Sequence, residues 1–87
     1  MAESAIHQAE DSLRQSPLWR NRLKVQRAMR DLTQADLAEL AGITRRSVNA
    51  IEGGRMVPSV LLALKLARAL GVTVETIFSL DDTPGAQ

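Results

Sequence analysis

The stretch LTQADLAELAGITRRSVNAIEGGR, Leu32 to Arg55, carries two helix-start signals with a single glycine between them. Thr33 is placed to cap the first helix, and Asp36 three residues on completes a capping box. Leu32 can staple against Leu37. Leu37, Leu40 and Ala41 form the apolar stripe of that helix, and Gly42 offers the left-handed residue that ends it. The signal then repeats. Thr44 caps, Ile43 and Val48 take the staple positions, and Val48 and Ile51 face inward at i, i+3. A connection this short cannot lay the two helices side by side, so they must cross steeply.

The rest of the chain is arranged around this pair. Residues 1–16 hold a weak helical stripe, Ile6, Ala9 and Leu13, with too little apolar surface to fold alone. They are expected to form an N-terminal extension, either an arm or an element that docks on something. Ser16-Pro17 is a good helix start, with Ser as cap and Pro at the first helical position. The first helix is therefore expected over Pro17–Arg30, with Trp19 and Leu23 facing inward. EGGRMVPS reads as a loop and Ser59 as the next cap. The helix that follows, VLLALKLARAL, is apolar over more than one stripe, so it is central or contributes to a partner interface. Gly71 ends it. Thr73 caps a last short helix carrying Val74, Ile77 and Phe78, and 81–87 form a polar tail. The expectation is an all-α domain of five helices over 17–80, with the crossed pair at about 33–52.

Composition agrees with that class. Leu and Ala supply 24 residues and aromatics only two, which favours helices over sheet. With 87 residues the chain fits one domain with a modest core. Absence of Cys excludes disulfide frameworks and Cys-based zinc sites. No apolar run reaches the roughly 18 residues of a membrane span. The start lacks the basic segment of a secretory signal, so a cytoplasmic protein is expected, near the nucleoid if it binds DNA. The formal net charge of +1 conceals a pattern. Residues 14–68 hold all eleven Lys and Arg against four acids, a net of +7, while each end sums to −3. A basic centre of this kind suits a polyanion, although charge alone is equally that of an ordinary solvated surface.

The second helix of the crossed pair separates its residues by face. Advancing about 100° per residue from Arg45 puts Val48 and Ile51 at about 300° and 240°, the buried side. Arg46, Asn49 and Ala50 fall at about 100°, 40° and 140°, on the opposite side, with Arg45 at the edge. An Arg fork can bond both acceptors of guanine, Asn can bond the acceptor–donor pair of adenine, and Ala50 can meet a thymine methyl. Gln34, Thr44 and Ser47 can bond phosphates, together with the backbone N–H groups at the helix starts where Thr33 also sits. Any one of these residues alone would be an unremarked surface polar. Together they make double-stranded DNA the expected partner.

These residues also resemble the Cro/phage-repressor (Xre) helix-turn-helix family, especially its small single-domain bacterial regulators. The resemblance lies in Gln34-Ala35-Asp36-Leu37-Ala38, Gly42-Ile43, Arg45 to Glu52, Pro58-Ser59, Ala63 to Ala67, Leu70-Gly71-Val72 and Ile77-Phe78. It covers about 60 residues, from Asn21 to Leu80. It implies a five-helix phage-repressor-like domain that sets its third helix in the major groove and binds operators as a twofold homodimer. It further implies that Thr44, Arg45, Arg46, Asn49 and Ala50 contact bases and phosphate, with Gln34 and Arg55 on phosphate. Arg27 and Glu52 match a pair that joins the first and third helices as a buried ion pair. Gln26 stands where many relatives carry an apolar residue, and residues 1–16 have no counterpart in the minimal members.

An enzyme is not expected. His7 has no nucleophile or metal-ligand pattern around it, and EGGR lacks the strand and spacing of a phosphate loop. No cofactor or metal is expected. The leading expectation is a sequence-specific transcriptional regulator, a repressor acting on a twofold-symmetric operator. The alternative is an antitoxin that binds its own operator and a toxin partner, for which the acidic ends and the extension could serve. A non-DNA-binding adaptor is a third class, against which Arg45, Arg46 and Asn49 argue.

Overall fold

Four helices start on the hydroxyl groups that the sequence offers for the purpose. In the computed structural model, which describes residues 19–80, the order is β1 (Trp19–Asn21), α1 (Leu23–Ala28), α2 (Gln34–Ala41), α3 (Arg45–Glu52), α4 (Val60–Leu70), α5 (Val74–Ile77) and β2 (Phe78–Leu80). The side chains of Thr33, Thr44, Ser59 and Thr73 accept from the backbone N–H groups of Asp36, Ser47, Leu62 and Thr76, starting α2, α3, α4 and α5. At α2 the capping box is complete, because Thr33 N also donates to Asp36 Oδ2 at 3.0 Å. The Thr33 backbone N–H foremost, and the Thr33 hydroxyl after it, hold the Asp36 carboxyl below its ordinary value.

Gly42 closes α2 at φ 71°, and Ile43 N donates back to Ala38 O at 3.0 Å. That left-handed residue turns the chain so that α3 starts at once and lies across α2. At the end of α1 the same wrap is made by Asp31 at φ 54°, with Leu32 N bonded to Arg27 O at 3.2 Å. Asp is among the few non-glycine residues that adopt this conformation readily, because its short polar side chain can bond locally.

The core is one cluster. Leu23, Leu37, Val48, Ile51, Leu66 and Ile77 are wholly buried, with Ala38, Ala41, Ala67 and Leu70 filling between them. Every described helix contributes at least one of these side chains. Each large one contributes about 1.5–3 kcal/mol relative to exposure.

Four expectations are corrected. Trp19 does not lie on the first helix. Residues Trp19–Asn21 pair antiparallel with Phe78–Leu80, and the helix begins only at Leu23. Trp19 packs against Phe78 with ring centroids 5.9 Å apart, and Asn21 Oδ1 at the end of β1 accepts from Leu23 N, the first residue of the helix, at 3.0 Å. Phe78 accordingly lies in β2 rather than in the last helix. The first helix ends at Ala28, and residues 29–31 form the turn, not a continuation to Arg30. On α2, Leu40 is 60% exposed and Ala38 takes its place against the core. The strand pair is a minor addition to a helical fold. The Ser16-Pro17 start, the extension over 1–16, His7 and the tail over 81–87 lie outside the described residues. No helix among the described residues is long and apolar enough to cross a membrane.

Two outcomes follow from this packing. Ile51→Ala should destabilise the fold by about 2–5 kcal/mol in urea titration, whereas Leu40→Ala should stay within about 0.5 kcal/mol. The Asp36 carboxyl, lowered on folding, stabilises the protein above its ordinary unfolded value near 4 and loses that contribution as pH falls through the lower folded value. The melting temperature of Asp36→Asn should therefore lie below that of the wild type at pH 7. The gap should close as the pH is taken below the ordinary aspartate range.

Candidate nucleic-acid interface

The capped start of α3 and the Gly42 turn decide which of its side chains meet solvent. Val48 and Ile51 point into the core against α2, so the opposite face of α3 is left open. Arg45, Arg46 and Asn49 are exposed on it, and Ala50 and Ser47 are half-buried beside them. Thr44 is exposed at the helix start, where its hydroxyl accepts from Ser47 N and donates to Ser47 Oγ at 2.9 Å. Thr33 is exposed at the start of α2, and Gln34 follows it half-buried, turned toward α3. Arg55 stands exposed in the loop after α3. The described structure thus brings the starts of α2 and α3 and the loop after α3 onto one side of the molecule.

Beneath that side runs a largely covered ion pair. Arg27 Nε donates to Glu52 Oε2 at 2.6 Å and its Nη2 to Oε1 at 3.1 Å, a bidentate fork. Its remaining nitrogen donates to Leu32 O at 2.7 Å. The side chains are only 16% and 5% exposed, and the bond to Glu52 raises the Arg27 guanidinium further above its ordinary value. Water is largely excluded from the pair, so its geometry is held firmly.

Several bonds here have no counterpart in a reading of helix faces. Gln34 Nε2 donates to Glu52 Oε1 at 3.1 Å, Asn49 Nδ2 donates to Gln34 Oε1 at 3.2 Å, and Arg55 donates to Asn49 Oδ1. Lys24 of α1 joins them around an open depression lined also by Arg27, Gly53 and Arg55. Asn21 of β1 sends its Nδ2 to Ile51 O at 2.5 Å, fixing the end of α3 from the strand side. Helical periodicity reports which residues share a face on one helix. It carries nothing about pairs 15 to 30 residues apart. The one local signal was Gly53-Gly54, which lets the chain bring Arg55 back toward α3.

Removing the carboxylate tests how much the fold depends on this pair. Glu52→Ala should lower stability by about 1.5–3 kcal/mol, because Arg27 is left covered and without its counter-charge. Replacing both partners together, Arg27→Met with Glu52→Leu, should recover most of that loss in chemical denaturation.

Similarity to known proteins agrees with the geometry. The family described as Helix-turn-helix matches residues 23–77, from the start of α1 to the end of α5. The uncharacterized HTH-type transcriptional regulator MJ0272 of Methanocaldococcus jannaschii is 46% identical over 63 residues, 72% of this chain and 96% of its own. The uncharacterized HTH-type transcriptional regulator YgzD of Bacillus subtilis is 43% identical over 63 residues, with the same shares of 72% and 96%. Among solved structures, the restriction-modification controller protein C.AhdI from Aeromonas hydrophila superposes with a TM-score of 0.61 at 37% identity, covering 62% of this chain and 82% of that one. With α2 and α3 forming the crossed pair and the match spanning all five helices, this chain belongs to the Xre-like helix-turn-helix family of DNA-binding transcriptional regulators.

Proposed function

We propose that this protein is a repressor that binds a twofold-symmetric operator as a homodimer, with α3 in the major groove. The observation that carries the reading is the split of α3. Val48 and Ile51 fix one face to the core, and Arg45, Arg46 and Asn49 stand exposed on the other. An α-helix fits the major groove of B-form DNA, and Arg and Asn carry the donor patterns that distinguish guanine and adenine there. Thr33, Gln34, Thr44, Ser47 and Arg55 then flank α3 as backbone contacts, setting its register on the duplex. Ala50 lets the helix approach closely.

The homodimer is supported by an apolar stripe that the fold leaves uncovered among the described residues. Val60, Leu61 and Leu64 share one face of α4 and Val57 lies in the loop just before it, and these four are 54–77% exposed. Side chains of this size collected on one face favour a partner surface over water. A second copy would cover the stripe and bring a second α3 to the same duplex. Repression follows from occupancy, because a bound dimer spanning two half-sites obstructs polymerase access.

Selection of bound duplexes from a random library, with the mass of the complex measured alongside, tests this reading. The expected result is a twofold-symmetric site with half-site centres about 34–36 Å apart and the mass of two chains. Arg46→Ala should weaken binding by about 1–3 kcal/mol and relax preference at one base position. A library that enriches no sequence would overturn the reading and bring forward a role in protein binding.

A further inference from the structure

Of the three side chains proposed to read bases, Asn49 is set apart by its bonds within the protein. Both of its amide atoms are engaged, and the bonds run in one direction from a carboxylate to a guanidinium. The Glu52 carboxylate can only accept, so Gln34 must turn its Nε2 toward it, at 3.1 Å. The Gln34 carbonyl is thereby left for Asn49, whose Nδ2 donates to it at 3.2 Å. Asn49 Oδ1 then faces Arg55, which can only donate, and which also reaches Asn49 O at 3.3 Å. Reversing either amide would set donor against donor at one end or acceptor against acceptor at the other. The two charged ends therefore fix both orientations.

Gly53 makes room for the last link. The Arg55 side chain folds back across it, and a Cβ at this position would overlap a guanidinium nitrogen and lie 3.0 Å from Cζ. The backbone at Gly53 has φ −80°, which any residue adopts, so the demand there is for space alone. A carboxamide has two N–H donors and two acceptor lone pairs. With one of each held by Gln34 and Arg55, one of each remains for a base edge.

We propose that Glu52, Gln34 and Arg55 are positioning residues that set the orientation of the Asn49 amide, with Gly53 admitting Arg55. The base preference at the position Asn49 reads is then determined partly by residues that do not touch that base. Holding the amide before DNA arrives reduces the side-chain entropy lost on binding and penalises bases that need the reversed amide. The proposal rests on the reading of α3 as the base-contacting helix.

The experiment uses the full chain and has two readouts. Relative affinities are measured for every single-base change in the selected site, for the wild type, Asn49→Ala, Gly53→Ala and Arg55→Lys. Lysine retains the positive charge for a phosphate but lacks the planar guanidinium whose Nη2 donates to both Asn49 oxygens. Asn49→Ala should abolish preference at one position of each half-site. Gly53→Ala and Arg55→Lys should lower preference at that same position by at least about fivefold while leaving preferences elsewhere intact. In the DNA-free protein, the side-chain amide resonances of Asn49 should shift in both variants while the melting temperature of Gly53→Ala stays near that of the wild type. Retained preference in both variants, or a uniform loss across all sequences, overturns the positioning role, as do unshifted Asn49 resonances. If the wild type has no base preference, or Asn49→Ala changes none, the reading of α3 has failed, and the resonances still report separately on the link itself.

Discussion

The bidentate pair between Arg27 and Glu52 is the interaction on which the rest of the arrangement depends. Arg27 belongs to α1 and Glu52 to the last turn of α3, and the same guanidinium also holds Leu32 O in the turn before α2. Glu52 in addition accepts from Gln34 at the start of α2. One largely covered charge pair therefore connects the first three helices at the edge that faces the proposed duplex. Its net contribution to stability is modest, since desolvation offsets much of the attraction. What it fixes is direction, because a fork on a carboxylate has few good geometries.

The core beneath is small and mostly aliphatic. Six wholly buried side chains and four nearly buried neighbours hold five helices together. A domain of this size has little stability to spare, so its ends matter. The β1–β2 clasp joins the start and finish of the described chain. Trp19 packs on Phe78, Arg22 N donates to Ile77 O, and Arg22 Nη1 donates to Ser79 Oγ. Asn21 carries that clasp to α3 through Ile51 O. The reading helix is thus held from α2 along its length, from α1 by a charge pair, and from the strand pair at its end.

Within α3 the first turn and the second are built differently. Arg45 and Arg46 reach into solvent with no hydrogen bond or ion pair to another described residue, as suits flexible cations that settle on whatever acceptors they meet. Asn49, one turn on, is held on both sides. Long cationic side chains gain from adaptability, while a short amide discriminates only if its donor and acceptor ends are distinguished beforehand. The fold supplies that distinction by placing a carboxylate at one end of the bonded chain and a guanidinium at the other.

How much of this was legible in the sequence follows the range of each interaction. Thr33, Thr44, Ser59 and Thr73 cap by bonds spanning three residues, Gly42 turns the chain because it alone lacks a Cβ there, and Val48 and Ile51 obey helical period. These are local effects, so the sequence by itself determined the starts of α2, α3, α4 and α5, the crossed pair and the outward face of α3. Ala38 and Leu40 flank the Leu37–Ala41 stripe on opposite sides, and only the actual neighbours of α2 decide which of the two is covered. Trp19 was assigned to a helix because its partner, Phe78, lies 59 residues away, beyond any local pattern. The links Asn49–Gln34, Gln34–Glu52 and Asn21–Ile51 were decided by the tertiary structure alone. They require two elements brought within hydrogen-bond distance, and that distance is set by packing.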